Sequence, residues 1–368
     1  MTALGLVHDY LLVLRGAERT FAAMADCFPG APLYTLLYDE EGTHGRFADH
    51  PITTSYLQRL TIRQEGFRKL LPLFPGAVER LPVSECDVVL SSSSAFAHGV
   101  RTRRDAVHVC YCYTPLRYAW FEQERALAEV SPPLRPLLRA TLARCRAWDR
   151  RVCNRVTRYV AISELSRERI ARYLERDAEV VYPPVEIDRF TPGQPEDFFL
   201  IVCELVRHKR VAMALEAARR AGVPVVVVGS GPDSERLRAL YGDIARFEGR
   251  LSDDDLAGLY ARALAVVIPN VEEFGITAVE AQAAGRPVLA ADAGGAKETV
   301  ISGVTGMHFT PGDVNAVAEA MREVDWTRFD AVRCRTQAEL FSVRAFQAGI
   351  FEQMRRAGVV DEGFSAAS

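Results

Sequence analysis

Lysine is nearly absent from this chain. Of 45 basic residues in 368, three are lysines (Lys69, Lys209 and Lys297) and the remainder are arginines. An ammonium and a guanidinium are not interchangeable, so each retained lysine marks a position to locate. Long apolar runs are missing too: no stretch approaches eighteen consecutive apolar residues, which gives no candidate for a membrane-crossing helix. The eight cysteines include no CxxC pair, and Cys110 and Cys112 stand two apart, a spacing that suits neither a zinc finger nor a redox motif. Scattered reduced thiols in a cytoplasmic protein are expected. No HExxH motif or acidic ligand cluster is present, so no metal site is expected. The net charge of −3 gives no basis for a polyanion-binding role, and no nucleic-acid partner is expected. The opening residues MTALGLVHDYLLVLRG carry Asp9 and no basic start, so they do not read as a secretion signal.

What is present is globular. The apolar fraction is 49% and the charged fraction 25%, over a length that suits two domains. TALGLVHDY, APLYTLLYD, CDVVLSSSS, AVHVCYCYTP, RYVAISELS and AEVVYPPV read as strands separated by helical stretches, which implies a mostly parallel sheet covered on both faces. Residues 181–198, with four prolines, break the pattern and mark a domain boundary. FFLIVCEL, VPVVVVGSG, IARFEG, ALAVVIPN, RPVLAADAGG and GMHFTPGD then repeat the scheme. The expected architecture is α/β: two doubly wound, Rossmann-like domains, residues 1–188 and 189–340, facing across a cleft, with a helix over 341–360 packing back on the first.

Two segments are both basic and leucine-bearing. Residues 57–74 carry Arg59, Arg63, Arg68 and Lys69, and residues 135–158 hold eight arginines against one acid, Asp149. Both fit the surface of an anionic membrane, and both fit the solvent face of an ordinary helix in an arginine-rich protein.

The residues suited to chemistry cluster in the second half. In PNVEEFGITAVEAQAAGRPVLAADAGGAKETV, Glu280 should lie on a helix starting after Gly275, with Glu272 in the loop before it. The amides of Phe274, Gly275 and Ile276 would then sit at a helix start, where an anion is stabilised. A carboxylate placed as Glu280 can accept from both hydroxyls of a vicinal diol such as a ribose. Gly294 and Gly295 permit close backbone approach in the next loop. In VCELVRHKRVAMA, Arg207, Lys209 and Arg210 follow a strand end and suit a leaving diphosphate. Gly229 and Gly231, in VVVVGSGPD, and Gly16, in LRGAER, are further candidates for backbone approach to a ligand, although neither segment matches GxGxxG or a P-loop. Arg250 joins the candidate donor-binding residues.

Taken in order, HDYL…RGAER, SSSSAFAHGV, YCYTPLRYAW, VAISELSRERI, VVYPPVEIDRF, ELVRHKR, VVVVGSGP and EEFGITAVEAQAAGRPVLA resemble glycosyltransferase family 4, retaining enzymes of GT-B fold, over roughly residues 6–312. The nearest branch is the mannosyltransferase-like one of polysaccharide and O-antigen assembly. The resemblance implies a nucleoside-diphosphate-sugar donor, no permanently bound cofactor and no catalytic metal. It implies a glycan or lipid-linked acceptor at the inner face of the membrane or in the cytoplasm. It places Glu272 near the donor sugar, Glu280 on the ribose, Lys209 and the 274–276 turn on the diphosphate, and Gly16 close to the donor.

Two positions depart from the family. Glu204 stands where an arginine is usual, five residues before the lysine, with Arg207 and Arg210 near enough in sequence to compensate. Tyr113 replaces a histidine expected near the donor sugar, and a phenol does not mimic an imidazole near neutral pH. Ser94, His98 and Phe121 also differ from the branch, His98 being the candidate to take over the histidine's role. A GT-B enzyme with an unusual donor such as a sugar phosphate, and a non-catalytic subunit, are the alternative readings.

Overall fold

The computed structural model describes residues 3–60 and 67–359. They form two compact units, one comprising the chain to Tyr182 together with the segment from Phe346, the other Pro183–Ala345. The division thus falls at Tyr182/Pro183, within the proline tract, where the sequence pattern placed it at 188/189.

The first unit is built on seven strands: β1 (Leu4–His8), β2 (Leu33–Thr35), β3 (Ile52–Thr54), β4 (Val88–Ser93), β5 (Val107–Cys112), β6 (Arg158–Ala161) and β7 (Ala178–Val180). They pair in the order β3-β2-β1-β4-β5-β6-β7, every pair parallel. The edge strand β3 was not anticipated, because PITTS after the His50 turn is short and carries only one large apolar residue.

Central β4, VVLSSS, is buried throughout. Its apolar half packs into a core with Val7, Leu36, Phe74, Phe96 and Trp148. Its serine half survives burial because each hydroxyl has a partner. Ser91 meets His108 Nε2 at 2.8 Å, Ser92 meets His8 Nδ1 at 3.1 Å, and Ser93 meets His98 Nδ1 at 3.2 Å. Burial lowers His8 to about 4, against the opposing pull of Asp9, and lowers His108 to about 3. His98 differs. Burial works against its charge, but Asp149, 2.7 Å from Nε2 and off the ideal hydrogen-bond line, outweighs it and raises the pKa.

The helix Val343–Arg356 enters this unit from Phe346 onward. Phe346 meets Tyr111 edge-on at 5.4 Å, Phe351 meets Phe28 at 5.5 Å, and Gln353 and Arg356 both bond Glu179.

The second unit contains β8 (Phe199–Val202), β9 (Val225–Val228), β10 (Ala245–Gly249), β11 (Ala265–Ile268), β12 (Val288–Ala291) and β13 (Gly306–Phe309). Their order is β10-β9-β8-β11-β12-β13, again all parallel. β9 is four consecutive buried valines, the pattern of a strand covered on both faces. The order in which successive strands are added reverses between β8 and β11. In such a sheet the loops leaving those two strands at their carboxyl ends flank the ligand crevice.

Candidate functional site

The loop after β8 carries Glu204, Arg207, Lys209 and Arg210. Arg207–Lys209 form one 3-10 turn, and Arg210, at φ +54°, adopts the left-handed conformation before the helix Val211–Ala221 begins. The helix thus starts only after Arg210, and Lys209 lies on a turn that aims it across the switch point. It meets Glu272, on the loop after β11, in a short ion pair. Asn270 donates to the same carboxylate oxygen at 2.9 Å. An ammonium has three donors, so Lys209 keeps capacity for a second anion while held by Glu272.

Beyond Glu272 the chain turns at Gly275, φ +91°, and enters the helix Ile276–Ala283. The positive φ is a conformation that a Cβ disfavours, which is why glycine caps this helix. The amides of Gly275, Ile276 and Thr277 find no backbone acceptor among the described residues, leaving donors at the positive end of the helix. Phe274 is buried edge-on against Phe341 at 5.4 Å, which anchors the turn from below. Gly294 and Gly295 pack onto it from the next loop: a Cβ on either would overlap the backbone of residues 272–274, and Gly295 N–H bonds the Glu272 carbonyl at 2.9 Å.

Glu280, on the same helix, is half-buried and accepts from the hydroxyl of Tyr260 at 2.7 Å. Tyr260 is fully buried, and its phenol is raised well above its ordinary range, by burial first and the Glu280 charge second. It therefore serves as a fixed donor. Tyr260 and Asn270 are the two positioning residues that sequence reading missed. Asn270 stands inside the quoted motif; Tyr260 comes from the helix Asp253–Arg262, and no local pattern connects it with Glu280.

Gly229 and Gly231 lie beside this loop system, and their tight environment has a structural cause. A Cβ on Gly229 would overlap the Cys203 carbonyl and one on Gly231 the Leu205 carbonyl, so the loops after β8 and β9 pack backbone to backbone. Arg250 is exposed and donates to Ser230 Oγ at 3.0 Å. Arg207 and Arg210 are exposed. Glu204 is exposed too, and no partner for its carboxylate is found among the described residues, so the neighbouring arginines do not neutralise it by contact.

Gly16 and Tyr113 belong to the first unit. Gly16 is the first residue of the helix Gly16–Ala25. Tyr113 is buried, and its hydroxyl accepts from Ser92 at 3.0 Å and donates to the Ala17 carbonyl at 2.8 Å, tying β4 to the start of that helix. Burial pushes the phenol far up. His98 is likewise enclosed between Ser93 and Asp149. At this unit's own switch point the carboxylate of Asp9 occupies the amides of Ser94, Ala95, Phe96 and Ala97 at 2.6–2.9 Å, an internal anion in an amide nest. Among the described residues no group of three or more His, Cys, Asp or Glu side chains is placed to hold a metal ion, and no helix is long and apolar enough to cross a membrane.

Two family models match adjacent stretches: Glycosyltransferase Family 4 over residues 15–189 and Glycosyl transferases group 1 over residues 185–338. The chain is 30% identical over 240 residues to D-inositol 3-phosphate glycosyltransferase of Frankia alni, covering 55% of this chain and 59% of that protein. It is 33% identical over 196 residues to the GDP-mannose-dependent alpha-(1-6)-phosphatidylinositol monomannoside mannosyltransferase of Mycobacterium tuberculosis, covering 44% and 51% respectively. The matched region thus spans between half and three fifths of these relatives' own lengths. Among solved structures, HepE of Anabaena in complex with UDP superposes with a TM-score of 0.71 at 17% identity, over 97% of this chain and 100% of that one. Sucrose-phosphate synthase from Thermosynechococcus elongatus gives 0.70 at 17%, over 97% and 99%. These likenesses establish the GT-B fold.

Proposed function

We propose that this chain, a GT-B glycosyltransferase related in its two halves to family 4 and group 1, moves a hexose from a nucleoside-diphosphate sugar to a hydroxyl acceptor. The observation that carries the reading is the grouping at one switch point of Lys209, Glu272, the open amides at 275–277 and the Tyr260-anchored Glu280. In this reading Glu280 accepts from the ribose hydroxyls and Glu272 faces the sugar. Lys209 and the helix amides take up the charge that grows on the diphosphate as the bond to the anomeric carbon breaks. Stabilising charge that appears only in the transition state is what accelerates the step.

The acceptor hydroxyl attacks from the side the diphosphate leaves, giving retention, and its proton passes to the departing phosphate oxygen. Mannose from GDP is the default donor, supported by the mycobacterial relative's name. The acceptor is a glycan, a lipid-linked sugar or a small molecule. A screen of GDP-, UDP- and dTDP-sugars with a crude lipid and glycan acceptor fraction, read by nucleotide release and product mass, tests this. Turnover with no nucleotide sugar overturns it.

Glu204 supports the second reading, an unusual donor such as a sugar phosphate, because an acid in that loop without a cation in contact opposes the larger charge of a departing nucleoside diphosphate more than that of a single phosphate. Thermal stabilisation by a sugar phosphate but by no nucleoside diphosphate decides for it. Improved turnover in Glu204→Arg instead marks the acid as an impairment of the usual donor.

Peripheral contact with an anionic membrane belongs to the same proposal. The helix Arg135–Val152 begins beside exposed Leu134 and Leu137, with Arg135 and Arg139 between and after them. Further along, the basic segment is partly consumed internally: Arg151 and Arg155 pair with Glu79, and Arg158 with Glu179. Of the other basic segment, residues 61–66 lie outside the described residues. Cosedimentation with anionic but not neutral vesicles, lost in Leu134→Glu/Leu137→Glu, is the expected result.

A further inference from the structure

The donor loops leave the carboxyl edge of the second sheet, and a separate feature lies at its amino edge. Arg286 and Pro287 immediately precede β12, and Pro192 and Gly193 lie in the run that leads into β8. A cavity of about 670 Å³ sits there, walled by Pro192, Pro287, Trp326 and Phe329 together with the polar Gln194 and Thr327, with Arg286 as its cation.

Arg286 is 7% exposed. Its Nη2 donates to the Gly193 carbonyl at 2.8 Å and its Nε, weakly, to the Ala284 carbonyl at 3.4 Å. A guanidinium has five N–H donors, so most of its capacity is unused. No carboxylate pairs with it among the described residues.

Neighbouring groups do not supply the missing charge. Asp325 and Asp330 accept from the amides of Thr327 and Val332 at their own helix starts. The Cys334 thiol, pushed up to about 12 chiefly by burial, stays neutral. The carbonyl end of the helix Ile276–Ala283 offers about half an elementary charge, less than a full cation requires. Arg335 shows the contrast: it spans three carbonyls and pairs with Asp188. A buried charge without a counter-ion is costly, and at Arg286 that cost goes with an adjoining cavity of mixed lining.

We propose that this cavity binds a small organic anion, a carboxylate on an apolar or aromatic body, with Arg286 as its counter-ion. A planar carboxylate matches the guanidinium fork, and the proline and aromatic walls suit the body. A phosphate dianion is the poorer match, because only one cation lines the cavity. The site is independent of the donor reading, since it shares no residue with the loops that carry Lys209 and Glu272.

The test uses the full chain at fixed ionic strength, titrated with sodium benzoate and, separately, with benzyl alcohol, by calorimetry and tryptophan fluorescence. Benzoate is expected to bind saturably and benzyl alcohol far more weakly. The fluorescence change should vanish in Trp326→Phe. Arg286→Met should weaken benzoate by about tenfold or more, the worth of a charge-assisted pair. Lys209→Ala should leave it unchanged. Equal binding of the two probes, or no saturable benzoate binding to the unmodified protein, overturns the proposal even if Arg286→Met does not fold. Benzoate binding that survives Arg286→Met, or is lost in Lys209→Ala, also overturns it.

Discussion

Removing one hydroxyl at Tyr260 tests how the second unit fixes the Glu280 carboxylate. Tyr260→Phe leaves the ring in its buried position and deletes the hydroxyl that makes the 2.7 Å bond to Glu280 Oε2. A hydrogen bond to a charged group contributes about 1.5–3 kcal/mol. Glu280 is half-buried, so water replaces part of that interaction, and a loss of ~1–2 kcal/mol is the reasonable expectation. For a domain of this size each kcal/mol moves the melting temperature by about 2–4 °C, so a fall of roughly 2–8 °C in the second unit's transition should follow.

The kinetic signature separates positioning from bulk destabilisation. If Glu280 binds the donor's ribose, a carboxylate released from Tyr260 weakens ground-state and transition-state binding alike. KM for the nucleotide sugar should then rise by several-fold with kcat nearly unchanged. Calorimetric melts and initial-rate kinetics below the transition measure both. An unchanged melting temperature together with an unchanged KM refutes the reasoning, and a fall in kcat at constant KM refutes the role given to Glu280.

Four other outcomes are expected. Lys209→Ala should lower kcat by about 100-fold or more, the cost of one charge-stabilising donor, as measured by nucleotide release. Tyr113→Phe should lower the first unit's stability by about 1–2 kcal/mol, from the lost link between Ser92 and Ala17, with kcat changed little; a large kcat loss in a stable variant would instead support a catalytic role. Gly295→Ala should abolish donor binding or folding, because its Cβ overlaps the Phe274 backbone, and a variant with normal KM speaks against the packed-loop geometry.

Acid should destabilise the first unit. His8 and His108 are held neutral, lowered to about 4 and about 3, while the unfolded chain takes up protons near 6.5. Their contribution is therefore complete above 6.5 and is lost as pH falls through that window. His98, raised, has the opposite sign and contributes below 6.5. Urea midpoints at pH 7.5 and pH 5 should show the fall, reduced in His108→Gln.

The strands other than β3 were legible because apolar runs and glycine turns are local signals. Lys209, Glu272 and Glu280 were legible as candidates because acids, a rare lysine and a helix start stood close along the chain. Their arrangement was not. Lys209 and Glu272 are separated by 63 positions and meet only because β8 and β11 lie side by side. Tyr260 reaches Glu280 across two helices, a contact with no local pattern behind it. The strand CDVVLSSSS was legible, but not that three of its serines are buried and satisfied by histidines from three other segments.

By itself, then, the sequence determined the elements, their alternation and the residue types available for chemistry, since these follow from periodicity and composition within a short window. Only tertiary structure decided which charges meet and which are left over. It engaged both hydrogen-bonding directions of the Tyr113 hydroxyl inside the first unit, gave Lys209 to Glu272, and left Arg286 without an anion among the described residues. Charge pairing depends on distances through space, and those are set by strand order rather than by position along the chain.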